Sequence, residues 1–147
     1  MQTISVREAT DGDPARSRIL IVEDDLMIAL EMEDMLYELG FEVAGLASSF
    51  EHALKLAPDS EIAFVDVNLS DGASGPEIGR ILAEQFAISV VFMTGNAEVV
   101  AGGVPGTLGV VSKPVSPATV VEILNYAITT RADEVGAVPS MLTLFAL

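Results

Sequence analysis

The sequence has no cysteine and a single histidine, His52. Without cysteine there is no disulfide, no thiolate metal site and no thiol nucleophile. One histidine excludes multi-histidine metal centres as well. Positive charge is scarce: 7 basic residues stand against 22 acidic ones, giving a net charge of −15 and a pI of about 4.1. Such a chain repels phosphate backbones and anionic lipid, which argues against nucleic-acid and membrane partners. No apolar run approaches the ~20 residues of a membrane span. The opening MQTISVREATDGDPARSR lacks the apolar centre of a signal peptide. With the missing cysteines, this points to the cytoplasm.

What the sequence does have is a core. Half of its 147 residues are hydrophobic, enough for one domain. Five short apolar runs alternate with helical periods. Ile19-Leu20-Ile21-Val22 is β-branched, continuous and closed by acids, as in a strand buried on both faces. Similar runs cover residues 41–47, 62–65, 88–93 and 108–111. Between the first two, Ala29, Met32, Leu36 and Leu39 recur at three- and four-residue steps, predicting a helix over 26–39 that Gly40 stops. Further helices are expected over 49–57, 77–86 with Pro76 in its first turn, and 117–130. The stretch 98–107 holds Gly102, Gly103, Pro105 and Gly106, so any helix there should be short and frayed. The pattern is (βα)5, an α/β fold with a parallel sheet and helices on both faces. A polar tail over 1–17 precedes this 18–130 unit, and an apolar tail over 131–147 follows it.

In such a sheet, ligands sit beyond the carboxyl ends of the strands, where the strand order reverses. The first strand ends in Glu23-Asp24-Asp25, the third in Asp66, the fourth in Thr94-Gly95, and the fifth leads to Ser112-Lys113-Pro114. An order of 2-1-3-4-5 makes the first and third strands neighbours, so Glu23, Asp24 and Asp66 converge. Crowded carboxylates repel one another and need a cation. Lys113, one of two lysines in the chain, supplies one charge. A hard divalent ion such as Mg2+ suits an all-oxygen donor set as the second. A carboxylate so placed can accept a phosphoryl group while cations offset its charge.

These segments, in this order, resemble the receiver domain of two-component response regulators. The resemblance rests on Ile19-Leu-Ile-Val-Glu-Asp-Asp, Phe64-Val-Asp-Val-Asn-Leu-Ser-Asp-Gly, Phe92-Met-Thr-Gly and Ser112-Lys-Pro, and covers about residues 18–130. It implies a flavodoxin-like five-stranded parallel sheet of order 2-1-3-4-5. It makes Asp66 the phosphoacceptor, with Asp24 on Mg2+ directly, Glu23 mainly through water, and the Asn68 backbone carbonyl completing the protein ligands. Thr94 would bind a phosphoryl oxygen and report phosphorylation by moving inward. Lys113 would pair with the phosphoryl group, and the Lys113–Pro114 bond is expected to be cis. The implied function is a single-domain response regulator. Its donor would be a sensor histidine kinase or a histidine phosphotransfer protein, and its output binding to a downstream protein target. It would catalyse only its own phosphoryl transfer and dephosphorylation.

Two departures stand out. Most receivers carry Tyr or Phe three residues before the lysine; here that residue is Val110. Gly95 follows Thr94, which resembles an alpha-proteobacterial subclass with a Phe-Ala-Thr-Gly-type motif, often stand-alone. Without the aromatic lever, ordering of the glycine-rich 98–109 stretch could carry the signal. Other readings compete. An interaction module of this fold could act without phosphorylation. A haloacid-dehalogenase-type phosphatase also uses an aspartate after a strand, but needs an acid where Asn68 stands. A flavodoxin lacks support, since no Ser/Thr-rich phosphate loop follows the first strand.

Several residues carry plainer expectations. Asp25 fits a helix cap, Asp71-Gly72 a turn, His52 an incidental place on the second helix, and the methionines core filling. The run Met141-Leu142-Thr143-Leu144-Phe145-Ala146-Leu147 is too apolar for a solvated tail. It should dock on its own domain or join a homodimer.

Overall fold

Continuous β-branched segments build the centre of a sheet because both of their faces can be buried. In the computed structural model, which describes residues 17–69, 74–95, 102–134 and 136–145, these are β1 (Arg18–Val22), β3 (Ile62–Asp66) and β4 (Ser89–Thr94). They are joined by β2 (Glu42–Ala47), β5 (Gly109–Ser112) and β6 (Leu142–Leu144). The helices are α1 (Leu26–Glu38), α2 (Phe50–Leu56), α3 (Ser74–Phe86) and α4 (Pro117–Arg131). A 3-10 turn, Ala57–Asp59, follows α2 and contains Pro58.

The strand order is β2-β1-β3-β4-β5-β6, so β1 lies between β2 and β3. The first five strands pair in parallel, in the expected order. The sheet as a whole corrects the expectation of five parallel strands: β6 adds a sixth, antiparallel to β5, with Val110 opposite Thr143. The apolar C-terminal run therefore docks on its own domain, where it covers the edge that β5 would otherwise leave open. Of the stretch 98–107, residues 98–101 lie outside the described residues, and 102–107 run as turns and irregular chain. Residues 1–16 of the polar tail also lie outside them, as does the Asp71-Gly72 turn.

Alternation along the strands divides the core in two. Ile19, Ile21, Phe64, Val91 and Met93 face α1 and α4, meeting Met32 and Leu36 from one and Ile123 and Leu124 from the other. Leu20, Val22, Val65, Val90 and Phe92 face the other way, against Ala53 of α2 and Ile78 and Leu82 of α3. Helix starts are set locally. The Asp25 carboxylate accepts the N–H groups of Met27 and Ile28, at 3.0 and 3.3 Å. Ser49 and Ser116 cap α2 and α4 in the same way. His52 is exposed on α2.

Candidate functional site

Each side chain of the site stands at a strand's carboxyl end. The Glu23 N–H extends the β1–β2 ladder by donating to the Ala47 carbonyl at 2.9 Å. Glu23 is 3% exposed. Asp24 is half-buried. Asp66 closes β3 and is 5% exposed; Thr94 closes β4 and is fully buried. The Val67 N–H donates to the Met93 carbonyl, and the Lys113 N–H to the Thr94 carbonyl at 2.9 Å. The backbone thus holds these ends in register before any side chain is considered.

Because β1 and β3 are neighbours, one carboxylate oxygen each from Glu23, Asp24 and Asp66 lies within 4.8 Å of the others. The Lys113 ammonium bridges two of the three acids, at 2.9 Å from Glu23 Oε1 and 3.1 Å from Asp66 Oδ2. The other oxygens of these two acids are met by backbone. The Asn68 N–H donates to Asp66 Oδ1 at 3.1 Å, and the Asp25 N–H to Glu23 Oε2 at 3.1 Å. The Lys113–Pro114 bond is cis, as expected. The Asn68 residue is exposed, and its backbone N–H meets Asp66.

The electrostatics follow from this crowding. Burial pushes the Glu23 carboxyl above the usual carboxylate range; Lys113 opposes the shift and the nearby Asp66 adds to it. Burial works to lower the Lys113 ammonium, but its hydrogen bonds to Glu23 and Asp66 outweigh it and hold the ammonium above its ordinary value. Three carboxylates against one ammonium leave a formal charge of 1 − 3 = −2 when all are ionised. A divalent cation would neutralise that charge, and hard oxygen donors of this kind suit magnesium. The donor set fits the ion.

Sequence reasoning missed Gly75, in the first turn of α3. A Cβ there would come within 2.4 Å of the Asp66 carbonyl oxygen and 2.3 Å of that of Val67. The start of α3 therefore rests directly on the backbone of the acidic strand end. The sequence reading placed Pro76 in the first turn of this helix and assigned Gly75 no role.

A doubly wound sheet with an acidic cleft at the carboxyl ends of β1 and β3 defines the class of flavodoxin-like α/β folds. Within that class the chain matches the response regulator receiver domain over residues 19–125, and it belongs to that family. It is 32% identical over 116 residues to the phyllosphere-induced regulator PhyR of Methylorubrum extorquens, covering 76% of this chain and 43% of that protein. The chain thus spans less than half the length of this curated relative. Its fold is similar to the receiver domain of the Erythrobacter litoralis PhyR response regulator, with a TM-score of 0.67 and 25% identity, over 84% of this chain and 97% of that one. It is likewise similar to the response regulator PhyR from Brucella abortus, at a TM-score of 0.66 and 28% identity, over 84% and 53% of the two chains. Among the described residues, no helix is long and apolar enough to cross a membrane.

Proposed function

We propose that this receiver domain accepts a phosphoryl group on Asp66 from a histidine kinase or phosphotransfer protein and signals by a change in protein binding. The observation that carries this reading is the Lys113 ammonium held between Glu23 and Asp66 at the rim of three converging carboxylates. An Asp66 carboxylate oxygen attacks phosphorus in line. A P–O bond to Asp66 forms as the bond to the donor nitrogen breaks, and the donor leaves with the electron pair. Lys113 then pairs with the phosphoryl oxygens, and the Thr94 hydroxyl donates to one of them. Asp24, Asp66 and the Asn68 carbonyl would hold magnesium, with Glu23 acting through water. Bound magnesium supplies the positive charge that offsets the transferred group. Val110 keeps an aliphatic side chain in the floor between β4 and β5, so the response is read through Thr94 and its neighbours without the usual aromatic residue. The neighbouring Thr94-Gly95 pair is the ground for placing the chain in the alpha-proteobacterial subclass.

Incubation with magnesium and a small acyl phosphate, followed by intact mass, tests the reading. One added phosphoryl group is expected, absent with chelator and absent in Asp66→Asn. An unchanged mass would favour a module that binds without phosphorylation. Continuous turnover of many phosphate esters would favour a phosphatase.

A further inference from the structure

Residues 135–147 contain no charged side chain, in a chain of net charge −15. β6 lies within them and is the last strand of the sheet, paired on one side only among the described residues. Natural edge strands are commonly guarded by lysine, proline, a bulge or a covering helix. This one carries leucine, threonine and leucine. Leu142 is buried and Thr143 exposed; Leu144 is 39% exposed, with Met141 at 61% and Val138 at 53% nearby.

We propose that β6 pairs antiparallel with β6 of a second copy, about a two-fold axis at Thr143, joining two sheets into one. Backbone parity permits it. The Phe145 N–H donates to the Leu108 carbonyl at 3.0 Å and Val110 is opposite Thr143, so residues 143 and 145 direct their polar groups to β5. Residues 142 and 144 then direct theirs outward. The Leu142 N–H is already engaged by the Pro139 carbonyl at 3.3 Å. The ladder therefore uses the Leu144 N–H of each copy and the Leu142 carbonyl of the other.

The sequence is self-complementary in this register. Leu-Thr-Leu read against itself places each Leu144 against Leu142 of the other copy and Thr143 against Thr143, as an isologous interface requires. The exposed Leu144 is thereby covered by a leucine, and threonines face each other across the non-hydrogen-bonded site, where side chains approach most closely. Charge selects the surface. Two chains of −15 repel over most of their area, and an uncharged strip is where they approach at least cost. The fit of β6 to its own sheet keeps the edge presentable: a Cβ on Gly109 would lie 2.3 Å from the Thr143 carbonyl oxygen, and the Phe145 ring packs on Phe92 at 6.3 Å between centroids. The inference stands independently of the acidic pocket.

Light scattering over a concentration series, at low and high salt, tests it together with two single-cysteine variants in this cysteine-free chain. The mass should rise towards twice 15.4 kDa, more readily at high salt as repulsion is screened. Thr143→Asp, at an exposed position, should weaken association by about ten-fold while leaving the circular dichroism unchanged. Thr143→Cys should oxidise to a covalent dimer faster than Thr130→Cys, which sits exposed on α4. A mass of one chain at every concentration would overturn the proposal. So would a dimer that Thr143→Asp leaves intact, or equal cross-linking of the two cysteine variants.

Discussion

Lys113 reaches two acids with one ammonium, and its loss should show first in stability. Lys113→Ala leaves the buried Glu23 facing Asp66 without a counter-charge. The expected cost at pH 7 is on the order of 1–3 kcal/mol, and thermal melts should show the deficit shrinking at acid pH as Glu23, held above the usual carboxylate range, protonates. The Glu23 shift has its own pH signature. Its carboxyl binds protons more tightly in the folded chain than its ordinary value of 4.5. Its contribution to stability is therefore full below about 4.5 and lost as pH rises through the higher folded value. A divalent ion needs the ionised form and opposes that loss. The rise in Tm with magnesium should thus grow as pH rises and Glu23 ionises; a rise independent of pH would contradict this account of the pocket. The residues of the site were legible because acids that end apolar runs are few. Their meeting was expected only by way of the strand order 2-1-3-4-5, which the structure bears out, since the adjacency of β1 and β3 is a matter of topology that no local pattern encodes. Gly75 was not legible either, because its constraint is a close approach to a carbonyl 9 residues earlier in the chain.

Helices with caps and strong periods were legible: α1 begins at Leu26, after the Asp25 cap, and α4 at Pro117, both as expected; the structure adds Ser116 as the cap of α4. α3 begins at Ser74, three residues before the expected Glu77, since Ser-Gly-Pro has low helix propensity and its start is held by packing. Gly75→Ala should expose that packing. Either the helix start or the Asp66 strand end must shift to admit the methyl group, at a cost of about 1–3 kcal/mol. Tm should fall, and phosphoryl acceptance should slow although no site side chain has changed. The corresponding change at Gly95, which has open space around it, should leave packing undisturbed. β6 escaped the strand count because three residues carry no usable period; its apolar character was visible, its partner was not. Only the fold shows that Gly109, beside the Thr143 carbonyl, is shaped to receive it.

At the scale of the whole molecule, the chain combines a well-filled two-sided core with a concentrated functional rim. Two apolar layers, one under α1 and α4 and one under α2 and α3, hold the strand ends that carry Glu23, Asp24, Asp66, Thr94 and Lys113. Among the described residues, the buried acids are Glu23 and Asp66, and the pocket sets them against a single lysine. That imbalance is the physical basis for reading the pocket as a cation-dependent phosphoryl acceptor. The most direct test is to locate the phosphoryl group. Protein treated with magnesium and an acyl phosphate, then reduced with borohydride, converts an acyl phosphate to the corresponding alcohol at the labelled residue, and peptide mass shows where. The account predicts reduction at Asp66 alone, lost when magnesium is chelated. Reduction at another acid, or at none, would contradict it.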